Sequence, residues 1–66
     1  MTLQINGEPR SVAPGLTVEA LLRELGLAAQ PCAVEVNREL VPKSRQSDHG
    51  LHAGDAVEIV TLVGGG

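Results

Sequence analysis

The chain has 66 residues, five basic against eight acidic side chains for a net charge of −3 at pH 7, and no Phe, Tyr or Trp. A chain of this size builds one small domain around a single core, which here must be aliphatic. The lack of aromatic stacking platforms and the dispersal of Arg10, Arg23, Arg38, Lys43 and Arg45 argue against nucleic-acid binding.

Leu3 and Ile5 alternate with Thr2, Gln4 and Asn6, the period of two of a half-buried strand. Asn6-Gly7 tolerates positive φ at both central positions of a tight hairpin turn, and Arg10-Ser11-Val12 returns as a second strand before Pro14-Gly15. Thr17 is placed to cap a helix, with Glu19 in the first turn where it favours the helix dipole. Val18, Leu21, Leu22 and Leu25 then follow i, i+3, i+4, i+7 spacing. Gly26 fits the left-handed position that ends the helix, with Leu27 packing back on Leu22, so the helix is expected over about residues 18 to 25.

Pro31 opens a third strand in which Cys32, Val34 and Val36 point one way and Ala33, Glu35 and Asn37 the other. Asn37-Arg38 turns the chain, and Glu39-Leu40-Val41 pairs back as a short strand that stops at Pro42. Lys43 to Gly50 is polar and suits a surface loop or a single helical turn. Gly54-Asp55 turns into the last strand, Ala56 to Val63. This order predicts an α+β fold, with one helix packed across a mixed four- to five-stranded sheet. The β-grasp, or ubiquitin-like roll, is the best-known form of that arrangement, and in it the first and last strands lie parallel at the centre. Residues 1–63 would form this domain and residues 64–66 a flexible glycine tail.

Along the last strand, Val57, Ile59, Thr61 and Val63 share one face and Ala56, Glu58, Val60 and Leu62 the other. An unpaired carboxylate belongs away from the helix, so Val60 and Leu62 are expected beside Glu58 on the outer face. Aliphatic side chains exposed next to a tail make Glu58, Val60 and Leu62 a candidate partner-docking patch, against the ordinary occurrence of singly exposed aliphatics.

The run Gly64-Gly65-Gly66 directly follows this apolar strand. At average glycine usage, glycine at three chosen positions arises by chance roughly three or four times in ten thousand sequences. Glycine has no Cβ, which suits a thread that enters a narrow active site, so the α-carboxyl of Gly66 is the candidate reactive group, with Gly64 and Gly65 as the thread. A carboxylate is a poor electrophile and needs a leaving group such as AMP to react. The chain has no Gly-x-x-x-x-Gly-Lys-Ser/Thr loop and too small a body for an ATP pocket, so activation is expected in trans.

Other chemistry is thinly represented. Cys32, the one cysteine, excludes an internal disulfide and reads as a small buried hydrophobe rather than a persulfide carrier. His49 and His52, with Asp48 and Asp55 nearby, lack recognised ligand spacing and read as solvated loop residues; neither a metal site nor a catalytic set is expected. Apolar stretches fall far short of the roughly 20 residues of a membrane span, and no targeting segment is visible. A cytoplasmic protein, monomeric when free, is the expectation.

Taken together, Leu3-Gln4-Ile5-Asn6-Gly7, Thr17-Val18-Glu19-Ala20-Leu21-Leu22, Ala33-Val34-Glu35-Val36-Asn37, Gly54-Asp55 and the ending Val63-Gly64-Gly65-Gly66 resemble the ThiS family, the sulfur carriers of thiamine biosynthesis. The resemblance covers essentially the whole chain. It implies that the Gly66 carboxylate is adenylated by an E1-like adenylyltransferase (ThiF-type) that consumes ATP, and is then converted to a thiocarboxylate. Sulfur would come from a cysteine desulfurase, directly or through a relay, and pass to a thiazole synthase (ThiG-type). Such a carrier binds no cofactor and catalyses nothing. The related small subunit of molybdopterin synthase, MoaD, and ubiquitin-like modifiers joined to a lysine through the terminal glycine are the alternatives.

Overall fold

In the computed structural model, which describes residues 1–62, the Asn6-Gly7 pair turns the chain with φ of 50° and 84°. Both values lie in the left-handed region that a two-residue hairpin turn of matching twist requires. The turn joins β1 (Thr2–Ile5) to β2 (Glu8–Ser11) and sets Ile5 directly opposite Glu8. The second strand therefore starts earlier than the predicted Arg10-Ser11-Val12, because a two-residue turn makes the chain pair at once. Val12 lies just beyond β2 and is buried, its N–H bonded to the carbonyl of Met1 at 2.8 Å. All of β2 is exposed, and Pro9, which has no N–H to donate, is tolerated on an edge strand.

Helix α1 (Val18–Glu24) begins where Thr17 adopts an extended backbone and its hydroxyl accepts the Ala20 N–H at 3.1 Å. The remaining free amides of the first turn are met from elsewhere: Val18 N–H bonds to the His49 carbonyl and Glu19 N–H to the Gln46 carbonyl, each at 3.0 Å. At the other end Gly26 has φ 74°, its N–H reaches the Arg23 carbonyl at 3.1 Å, and Leu27 N–H reaches the Leu22 carbonyl at 2.8 Å. This is the Schellman ending expected from Gly26 and Leu27, and it makes Leu25 the capping residue.

After α1 come β3 (Cys32–Val36), β4 (Glu39–Leu40), a single 3-10 turn (Lys43–Arg45) and β5 (Ala56–Thr61). The five-stranded sheet runs β2-β1-β5-β3-β4, with β1 and β5 parallel and the other neighbours antiparallel. The helix covers one face through Val18, Leu21 and Leu22, which pack with Leu3, Val12, Val34, Val36, Val41, Leu51, Val57 and Ile59. Alternation along β3 and β5 decides the faces: Val34, Val36, Val57 and Ile59 point inward, and Glu35, Glu58 and Val60 outward.

The predicted inward set needs two corrections at the open end of the sheet. Thr61 is exposed and Cys32, its partner across β3 and β5, is half-buried rather than buried. The segment after Pro42 is the single helical turn foreseen as one option, but it is not wholly a surface feature. Gln46 is only 8% exposed, and its side-chain amide donates to the Val41 carbonyl at 3.5 Å.

Candidate functional site

The last strand is the structural root of the candidate tail, and two asparagines hold it from opposite sides. Pairing of β1 with β5 runs through Gln4↔Ala56 and Ile5↔Val57, after which β1 turns away. The Asn6 side chain carries the ladder one step further: its Oδ1 accepts the Ile59 N–H at 2.7 Å and its Nδ2 donates to the Ile59 carbonyl at 3.1 Å. A side-chain amide has the donor and acceptor of a peptide group, so it can stand in for the missing strand residue.

On the other side, Asn37 backbone N–H bonds to the Ala56 carbonyl at 2.7 Å, and its side-chain oxygen accepts Ala56 N–H at 3.0 Å. Its Nδ2 donates to Asp55 Oδ1 at 3.0 Å, while Asp55 Oδ2 accepts the His52 N–H at 2.8 Å. Burial works against ionising Asp55, but these donated bonds, with the fields of His52 and His49, outweigh it and hold the carboxyl below the usual aspartate range. His52 Nδ1 lies 3.9 Å from Asp55 Oδ2, with the imidazole 85% exposed. Past Thr61, Leu62 N–H bonds to the Pro31 carbonyl at 2.9 Å, so the backbone is tied down as far as the start of residues 63–66.

Glu58 and Val60 lie on the sheet face away from the helix, where the alternation places them, and Val60 is 59% exposed. Strand register sets Glu58 opposite Glu35 and Val60 opposite Ala33 across β3, while Glu35 faces Leu40 across β4. Leu40, 64% exposed, is an outer-face aliphatic that the sequence pattern marked only as part of a short strand. Leu62, 53% exposed, lies beyond the end of β5, where strand alternation no longer assigns a face. It lines a cavity of about 180 Å³ together with Leu22, Ala28, Pro31, Cys32 and Lys43. Cys32 Sγ sits 3.3 Å from the Gln30 carbonyl in the same place. Gly64, Gly65 and Gly66, the predicted thread and reactive end, lie outside the described residues.

One helix across a mixed five-stranded sheet, with first and last strands parallel at its centre, is a β-grasp fold. The same fold is found in the crystal structure of a thiamine biosynthesis protein (ThiS) from Geobacter metallireducens, which is 38% identical, with a TM-score of 0.85 and all of both chains covered. A model of the ThiS family matches residues 3–66. The chain belongs to the ThiS family.

Among relatives, it is 39% identical to the sulfur carrier protein ThiS of Thermus thermophilus, over 94% of this chain and 95% of that one. It is 50% identical over its whole length to part of a thiazole synthase from Paramagnetospirillum magneticum. The chain spans only 20% of that protein, and 20% of a second thiazole synthase, from Magnetococcus marinus, to which it is 38% identical.

Proposed function

We propose that this chain is the sulfur carrier of thiamine biosynthesis, loaded at the carboxyl group of Gly66. The observation that carries the reading is the family match over residues 3–66, which takes in the glycine ending, together with carriers of the same name aligned over nearly their whole length. The sheet supports it physically. Bonds from Asn6, Asn37 and Pro31 fix the chain as far as Leu62, and the four residues beyond reach up to about 14 Å when extended. A fixed root with a slender thread lets the body stay outside an enzyme while the last carboxyl enters it.

In this reading the Gly66 carboxylate attacks the α-phosphate of ATP on an E1-like adenylyltransferase, and pyrophosphate leaves. A sulfur nucleophile originating with a cysteine desulfurase then displaces AMP. Hydrosulfide gives the thiocarboxylate at once, and a persulfide gives it after reduction by a thiol. The thiocarboxylate delivers its sulfur to thiazole synthase. The identity of 50% with a segment of a longer thiazole synthase supports that acceptor, because a carrier joined to its acceptor is always at high effective concentration. The chain itself is a substrate in each step.

The test is intact-mass spectrometry after incubation with ATP, sulfide and the E1-like enzyme, beside a control lacking Gly66. The expected gain is that of one oxygen replaced by sulfur, mapped to the C-terminal peptide and absent from the control. Gly65→Val, which widens the thread, should keep the fold and lose the gain. A gain mapped to Cys32, or none, would overturn the proposal.

A further inference from the structure

Across the centre of the outer sheet face, Glu58 of β5 stands directly opposite Glu35 of β3. Side chains so placed have Cβ atoms about 4.5–5.5 Å apart, and like charges there destabilise the strand pair. Nothing in the described residues offsets this. Their one ion pair is His52 with Asp55, and neither Glu35 nor Glu58 has an Arg or Lys within ion-pair distance. The carboxylates are framed by apolar surface: Leu40 completes their row across β4, and Val60 with Ala33 forms the next row on the same face. Leu40 and Val60 are 64% and 59% exposed.

We propose that this face receives an arginine of the thiazole synthase, its guanidinium lodged between Glu35 and Glu58 and its flanks resting on Leu40 and Val60. The choice of partner rests on the carrier reading, whereas the chemistry rests on the face. Two carboxylates on adjacent strands suit a planar fork that donates from two edges, and a guanidinium sheds water more readily than an ammonium beside aliphatic groups. Other occupants fit worse. A second copy would add two more carboxylates to the same spot, and a nucleic acid or anionic membrane would be repelled. A divalent cation would find two carboxylates and no third ligand, since among the described residues no three metal-binding side chains cluster.

The test uses Glu35→Gln, Glu58→Gln and the double variant, with Val60→Asp as a neighbour on the same face. In the free chain, each Gln variant should raise the urea midpoint, and the double variant should gain no more than either single one, since removing one charge already ends the repulsion. Calorimetric titration of each chain into the thiazole synthase should show the opposite sign. Each single Gln substitution is expected to weaken binding about tenfold, and the salt dependence of the wild-type affinity should flatten in the double variant.

Stabilised but weaker-binding variants support the proposal, because a merely structural role would not separate the two readouts. Affinities within twofold of wild type overturn it, as do unchanged urea midpoints. A loss in Val60→Asp alone would leave a docking face without the arginine, and so overturn the guanidinium. Weakened binding confined to the E1-like enzyme would overturn the choice of partner, and stabilisation of the wild type by magnesium or calcium alone would make the pair a cation site instead. Thiocarboxylate formation on the wild type, read by mass, judges the carrier reading separately: a chain that is loaded normally yet does not bind thiazole synthase sinks only the docking proposal.

Discussion

Asn6 makes the bonds whose removal would say most about how β5 is held in the sheet. Its side chain both accepts from and donates to the backbone of Ile59, a buried residue of β5, and its own φ is 50°. Asn6→Gly keeps the positive φ accessible while deleting the amide, so it isolates the hydrogen bonds. Two bonds at about 1 kcal/mol each, plus part of the cost of leaving Ile59 N–H and C=O unpartnered, give a loss of about 2–4 kcal/mol. Asn6→Ala should lose about 1 kcal/mol more, because a Cβ without a local polar bond is strained in the left-handed region.

A domain of this size has a total stability of about 3–10 kcal/mol, so the effect is a large share of the whole. Each kcal/mol is worth about 4–8 °C in Tm, and a fall of at least about 8 °C is expected for Asn6→Gly. Without aromatic residues the chain offers no tryptophan or tyrosine fluorescence, so unfolding is best followed by far-UV circular dichroism in urea and on heating. Hydrogen exchange adds a local reading: the Ile59 amide should lose protection more than the amides of α1. Asn6→Gly within about 0.5 kcal/mol of wild type, with Ile59 still protected, would refute the view that this side chain extends the central ladder.

Three further outcomes are expected. Arg38→Gly should stabilise the chain by about 0.5–1 kcal/mol in urea titrations, because Arg38 holds φ 72° in the turn between β3 and β4, where glycine is unstrained; a loss of stability would contradict this. Leu62→Asp should weaken binding to the E1-like enzyme or the thiazole synthase while changing stability by less than about 0.5 kcal/mol, and a general unfolding instead would place Leu62 in the core. Asp55 has a folded pKa below that of the unfolded chain, so its stabilisation is present above the unfolded value and is lost as pH falls through the folded one. Tm measured against pH should therefore drop through and below the ordinary aspartate range, and Asp55→Asn should flatten that part of the profile; an unaltered profile would assign the acid sensitivity elsewhere.

Local chemistry explains why most of the fold was legible in the sequence. Alternation marked β1, β3 and β5, Thr17 and Gly26 marked the ends of α1, and Asn6-Gly7 marked the hairpin turn. The order of these elements pointed to the β-grasp form, and it was that form which placed β1 beside β5, in parallel. What stayed hidden depends on partners distant in the chain. Asn6 was legible as a turn residue, but its bonds to Ile59 span 53 positions. Gln46 sits in a polar stretch and is nevertheless buried, because its carbonyl and that of His49 serve the first turn of α1. The facing of Glu35 and Glu58 is a matter of register between two strands, which neither strand states alone. Alternation foretold the outward Glu58 and Val60, but it failed at Thr61 and Cys32, which face each other where β3 and β5 run out.

The placement of β5 has a consequence for quality control of the protein in the cell. It is the last strand in the chain yet the middle one in the sheet, and β1 and β3 have no pairing with each other except through it. A chain cut or prematurely terminated before Ala56 therefore keeps two separate hairpins and loses Val57 and Ile59 from the core, which leaves no domain to fold. On the carrier reading, such fragments cannot act as folded decoys that occupy partner enzymes without the end that would be loaded. Integrity of the fold thus certifies that synthesis has continued at least through β5, and proteases are left to remove whatever stopped short.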